Sequence, residues 1–190
     1  FGNAEGMVEL VEKIGYRVGN ADKLAEGSYR LAEKYGHPEF SMTVKKQEIP
    51  GYDPRACQGM AIEYATSNRG ACHMRGDIAT QELWGIPVKL DPLETKGKAQ
   101  YLISLQNEMA ISDSMGICQF LSGYKIGEEM VLAELEAISG AGYSKENFQR
   151  TGERIWNLEK LFNQKAGFTG KDDTLPKRLL EEPMPEGSGK

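Results

Sequence analysis

The chain is poor in the residues that build the commonest metal and disulfide frameworks. Its three cysteines, Cys57, Cys72 and Cys118, are odd in number and far apart, so they do not form the disulfide scaffold of a small secreted domain. With no CxxC pair and only two histidines, they do not form a structural zinc site either. Free thiols suit a reducing, cytoplasmic setting. No apolar run approaches the length of a membrane span, and no signal peptide is present. A net charge of -5 with no extended basic stretch argues against phosphate-backbone binding, so no nucleic acid and no membrane is expected as a partner. There is no internal repeat, no low-complexity tract and no initiator methionine, and the chain reads as a piece of a longer protein.

What is present is ordinary globular material, 39% hydrophobic and 27% charged over 190 residues, patterned chiefly for helices. Asn3 caps a helix bearing Met7, Leu10, Val11 and Ile14 on one face. Asn20 or Asp22 opens a second helix with Leu24, Leu31 and Tyr35 inward and Gly36 as its stop. A polar connector over 37–51 holds one short extended piece near Phe40 to Val44. His37, beside a proline in that connector, reads as a solvated surface residue. Asp53-Pro54 is a strong helix start, predicting a helix to Asn68 with Cys57, Met60, Ala61 and Tyr64 on one face and Gly59 admitting a close neighbour.

A short helix near Asp77 or Thr80 ends at Gly85, an extended passage follows over 86–92, and a long helix over about 95–112 turns Tyr101, Leu102, Leu105 and Met109 to the core. Gly127 to Ile138 predicts another helix with Met130, Val131, Leu135 and Ile138 inward. Ser144 caps a last long helix whose Phe148, Ile155, Leu158 and Phe162 share a face, and a loop and an aperiodic acidic tail close the chain. The expectation is a mainly α fold of six or seven helices with little or no sheet.

Two stretches depart from packing sequence. Asp113-Ser114-Met115-Gly116-Ile117-Cys118, at the end of the long helix, offers a carboxylate, a glycine that lets backbone approach a bulky ligand, and a thiol that as thiolate suits soft metals. Taken alone it also fits a structural turn, with Asp113 capping and Cys118 as a small buried residue. The run from Thr66 to Gly76 crowds Asn68, Arg69, Cys72, His73 and Arg75 into a stretch with few large apolar side chains, so its polar groups need partners.

Together with Tyr52-Asp53-Pro54-Arg55, Asp22-Lys23-Leu24-Ala25-Glu26-Gly27, Gly85-Ile86-Pro87-Val88-Lys89-Leu90-Asp91, Gly152-Glu153-Arg154-Ile155-Trp156-Asn157-Leu158-Glu159, Lys171-Asp172-Asp173-Thr174-Leu175-Pro176 and the opening Phe1-Gly2-Asn3-Ala4-Glu5, these stretches are highly specific in order and spacing. They resemble the carboxy-terminal region of the tungsten-containing aldehyde:ferredoxin oxidoreductase family across nearly the whole chain. The resemblance implies that residues 1–50 end a middle helical domain and that 51–190 form a carboxy-terminal one, cut before its natural end.

It further implies a tungsten or molybdenum atom between two pterin dithiolenes beside a [4Fe-4S] cluster, oxidation of an aldehyde to a carboxylate, and ferredoxin as electron acceptor. On that pattern Asp113, the backbone near Ile117, and Arg75 contact the pterin, while Cys118 is the fourth cluster ligand. His73 stands near the metal to hydrogen-bond an oxygen or move a proton, and Tyr52 reaches the substrate. The remaining cluster cysteines, the first pterin motif and an active-site glutamate have no counterpart here, so the piece alone is expected to fold without metal and to be inactive, its partner being the amino-terminal part of the same chain. Two other readings stand beside this one: a related reductase of aromatic thioesters or carboxylates, and a helical interaction module without chemistry.

Overall fold

The computed structural model describes residues 2–122 and 128–187. Among them run nine α-helical segments: α1 (Ala4–Gly15), α2 (Ala21–Leu24), α3 (Ser28–Lys34), α4 (Gln58–Thr66), α5 (Lys98–Met115), α6 (Gln119–Ser122), α7 (Glu128–Ser139), α8 (Lys145–Lys165) and α9 (Lys177–Glu181). The described sheet is one antiparallel pair, β1 (Thr43–Val44) with β2 (Gln47–Glu48), in the register Thr43 to Glu48 and Val44 to Gln47. The mainly α expectation holds. Phe1, Gly127 and the closing Ser188-Gly189-Lys190 lie outside the described residues, and with Gly127 the expected start of the seventh helix.

Side-chain patterning places two cores. The first joins Val44, Cys57, Met60, Tyr64, Ala71, Ile78, Leu102 and Leu175; the second joins Ile111, Val131 and Phe148, with Met115, Ile117, Leu135 and Ile155 against them. Helix α5 spans both, contributing Leu102 to one and Ile111 to the other. Its broadest partner is α8. Gly152 of α8 sits at that crossing, where a Cβ would lie 2.6 Å from the carbonyl carbon of Asn107, so only glycine permits the approach. Asn107 and Gln149 bond across the same crossing at 3.3 Å. Ser144 caps α8 through its hydroxyl, as its position before the apolar run predicts.

Several boundaries differ from the sequence expectation, each for a local reason. The expected second helix is two, because Gly27 at φ 85° turns the chain out of the helical region between α2 and α3. Asp53-Pro54 does not begin a helix. The Asp53 carboxylate is held instead by its neighbour Arg55, from Nη2 at 2.7 Å and from the backbone N–H at 2.9 Å, and these bonds hold its carboxyl below the usual range. Helix α4 starts at Gln58 and takes its cap from a distant residue: the Glu82 carboxylate accepts from the N–H groups of Gly59 at 2.8 Å and Met60 at 3.2 Å. Helix α5 runs about three residues later than expected at both ends, between Gly97 and Gly116, both left-handed.

Several expected inward residues face outward. Leu24, Tyr35, Met130, Ile138, Leu158 and Phe162 are exposed, Ile138 at 81% and Phe162 at 73%. Met7, Leu10 and Val11 of α1 are also exposed. A helical period marks a face, and these faces have no counterpart among the described residues.

Candidate functional site

The polar run from Thr66 to Gly76 leaves α4 and is fixed from several sides. Ala71 N–H donates to the Val44 carbonyl at 3.3 Å, and Gly70 at φ 91° has no room for a Cβ beside that carbonyl, at 2.6 Å. Asn68 is stitched to α8: its Nδ2 donates to the Trp156 carbonyl at 3.0 Å, and its own carbonyl accepts from Asn163 Nδ2 at 2.7 Å. A loop poor in apolar side chains is thus held by hydrogen bonds rather than by burial of hydrocarbon.

From this loop Arg75 reaches inward to α5 and α8. Its guanidinium donates from Nη1 to Asp113 Oδ2 and from Nη2 to Glu159 Oε2, both at 2.5 Å, and stacks over the Trp156 ring at 5.0 Å. Only 2% of Arg75 is exposed, and its Nε is buried with no partner. Arginine suits this place because a planar fork serves two acids and an aromatic face together. Asp113 also accepts from Arg69 at 3.0 Å on Oδ2 and from Gln119 at 3.2 Å on Oδ1.

The acid belongs to the last turn of α5. There the chain turns out of the helix through Gly116 at φ 73°, with Gly116 N–H donating to the Asp113 carbonyl at 3.2 Å and Ile117 N–H to the Ser112 carbonyl at 3.0 Å. Met115 and Ile117 pack into the second core, which anchors the turn. Cys118 is left exposed before α6 rather than buried as a small core residue.

The remaining expected residues form a second contact. Tyr52 meets His73 edge-on at 5.6 Å between ring centroids and Trp84 at 6.5 Å with the planes perpendicular. Tyr52 is itself held through its carbonyl, which accepts from the Tyr64 hydroxyl at 3.3 Å. The structure therefore pairs Arg75 with Asp113 and Tyr52 with His73, and one loop supplies a member of each pair, His73 and Arg75 being two residues apart. Ile117 and Cys118 follow Asp113 along the chain. A groove of about 430 Å³ lined by Asn68, Arg69, Leu158, Glu159, Phe162 and Asn163 opens beside the Arg75 partners.

Glu63, Glu82, Trp84 and Glu159 were not singled out from sequence, and Arg69 was marked only as one of the polar groups of the loop. Glu63 carried a signal: it lies three residues after Met60 and beside Tyr64, so an acid occupies the apolar face of α4. It is fully buried, and burial pushes its carboxyl up to about 8 against the opposing bonds from backbone N–H groups. Glu82 pairs in the interior with Lys98. Trp84 had no comparable mark.

The donor set tests what the site could hold. Among the described residues no group of three or more His, Cys, Asp or Glu side chains could bind a metal ion. Cys118 is a thiol of the right chemistry for an iron–sulfur cluster, presented outward, and the half-exposed Asp113 is an acceptor for a polar heterocycle. The residues fit such groups in kind and could supply part of their ligands.

The family model for aldehyde ferredoxin oxidoreductase, domains 2 and 3, matches residues 1–190. The chain is 50% identical over 192 residues to the tungsten-containing aldehyde ferredoxin oxidoreductase of Pyrococcus furiosus and 50% identical to that of Thermococcus kodakarensis. It is 46% identical to the enzyme of that name from Pyrococcus abyssi. In each comparison all of this chain is covered, against 32% of the relative, so the chain spans about a third of the length of these proteins. With the model matched from the first residue to the last, the chain belongs to the aldehyde ferredoxin oxidoreductase family.

Proposed function

We propose that this chain is the carboxy-terminal part of a tungsten or molybdenum pterin, iron–sulfur enzyme that oxidises aldehydes to carboxylates and passes the electrons to ferredoxin. One observation carries the reading: Asp113 and an exposed Cys118 stand on either side of the Gly116 turn, and Arg75 ties that turn to the loop bearing His73. In this reading residues 1–50 end a middle helical domain and 51–190 make up a carboxy-terminal one. The three free thiols support a reducing, cytoplasmic setting, and no helix among the described residues is long and apolar enough to cross a membrane.

When bound, the metal–pterin group and the cluster supply Lewis acidity and a route for two electrons. Cys118 would serve as a cluster ligand through its thiolate. Asp113 and the backbone at Ile117 would hold the pterin ring, with Arg75 fixing the Asp113 carboxylate through one arm while Glu159 holds the other. Conversion of an aldehyde and water to a carboxylate releases protons together with the two electrons, and His73 would accept one of those protons at an imidazole nitrogen. Tyr52, edge-on to that ring, restricts its orientation and borders the aldehyde. Because this chain brings one cluster thiolate, the 190 residues alone are expected to be inactive, and the amino-terminal remainder is the first partner required.

The test is His73→Ala in the full-length protein. Loss of a positioned acid–base group lowers turnover by roughly a hundredfold or more, with tungsten and iron content retained. Unchanged aldehyde oxidation would remove His73 from the chemistry.

A further inference from the structure

Two buried carboxylates join α4 to the chain that follows it, and they do so reciprocally. Glu82, from the π-helical turn Thr80–Trp84, caps the N-terminus of α4. In return α4 sends Glu63 to the chain entering that turn: Oε1 accepts from Asp77 N–H at 3.1 Å and Oε2 from Ile78 N–H at 3.2 Å. The two acids differ in one respect. Glu82 has the Lys98 ammonium against it, whereas Glu63 enters no ion pair among the described residues.

We propose that Glu63 is a positioning residue of the site, gripping the backbone at Asp77 and Ile78 and so setting where Arg75 and His73, just before them in the chain, stand. Each carboxyl oxygen keeps a lone pair for an adjacent N–H whether the group is ionised or protonated, whereas an amide must turn its NH2 donor toward one of those donors. The loop lies directly on this grip. A Cβ at Gly76 would fall 2.6 Å from the Leu102 side chain and 3.2 Å from the Glu63 carboxyl, so the backbone there has no slack. Asp77 next to it is held in the left-handed region at φ 53°, a conformation that costs a non-glycine residue free energy and persists where the surroundings impose it. Thr80 Oγ1, donating to Asp77 Oδ2 at 2.8 Å, is the second restraint. Burial raises both the Glu63 and the Asp77 carboxyls, consistent with groups retained in an unfavourable setting for the bonds they make.

The grip is read from geometry; what it serves rests on the role of His73 proposed above. The experiment uses the full-length, cofactor-loaded protein with Glu63→Gln, and Glu82→Gln as the structural counterpart. Readouts are aldehyde turnover, KM, tungsten and iron content, and hydrogen exchange of peptides covering 73–78. Glu63→Gln should speed exchange there at least tenfold and lower kcat at least tenfold, with KM within twofold and metals retained. Glu82→Gln should lower thermal stability with kcat within twofold. Parent-like exchange in Glu63→Gln, or a loosened loop with unchanged kcat, overturns the proposal. If Glu63→Gln does not fold, Glu63→Asp is read by the same criteria. A parent protein that oxidises no aldehyde sinks the functional reading instead, and exchange over 73–78 then decides the grip.

Discussion

Replacing Arg75 by Met keeps most of the side-chain volume and removes the charge that two acids share. Asp113 and Glu159 then face the gap without their cation, while the Trp156 ring loses the guanidinium stacked on it. Breaking a buried ion pair by deleting one partner costs roughly 3–5 kcal/mol. The two carboxylates are 30% and 38% exposed, so water recovers part of that loss, and Asp113 keeps Arg69 and Gln119. A reduced electrostatic term of about 2 kcal/mol, with about 1 kcal/mol for the lost stacking, gives a total near 3 kcal/mol. For a chain of this size that corresponds to a fall in Tm of roughly 6–12 °C. Arg75→Lys should recover only part of it, since a single ammonium lacks the fork that spans both acids. Calorimetry with urea titration as a second measure provides the assay. A fall below about 2 °C for Arg75→Met would refute the view that this guanidinium ties the loop, α5 and α8 together.

Three further outcomes follow from the packing and the buried acids. Gly152→Ala should cost roughly 1–3 kcal/mol or more by forcing α8 from the Asn107 backbone, read as a lower urea midpoint; an unchanged midpoint would mean that the crossing is loose. Ser144→Ala should cost about 1 kcal/mol through loss of the bond from Asn147 N–H, in the same assay. Glu63, held at about 8 against an ordinary value of 4.5, stabilises the fold fully below pH 4.5 and loses that contribution as pH rises toward 8. The raised Asp77 carboxyl acts in the same direction, while Asp53 and Glu48, lowered by their bonds, weaken the fold only under acid conditions. Urea midpoints should therefore fall between pH 5 and 8, and Glu63→Gln should flatten that slope; an equal slope in the variant would contradict the assignment.

Much of the fold was legible because period and capping are local properties. The Asn3 and Ser144 caps, the stop at Gly85 and the Gly59 close approach all depend on neighbours in sequence or on the absence of a side chain. Where a distant group decides, local reading failed: the start of α4 is set by Glu82, twenty-odd residues away in the chain, while Asp53 is diverted to Arg55. Helical faces were read correctly as apolar, but period cannot say whether a partner is present, as Leu158 and Phe162 illustrate. For the site, residue chemistry and the resemblance singled out Asp113, Cys118, His73, Tyr52, Arg75 and Ile117. That Arg75 meets Asp113, that Glu63 holds the chain just behind the loop and that Glu82 caps α4 are facts of three-dimensional placement that no spacing encodes.

Cys118, five residues beyond Asp113, is the proposed cluster ligand of this chain. Iron and tungsten analysis with electron paramagnetic resonance on the full-length protein carrying Cys118→Ala measures this directly. The prediction is loss of the reduced-cluster signal and a fall in iron. An unaltered cluster spectrum with full iron content would contradict it.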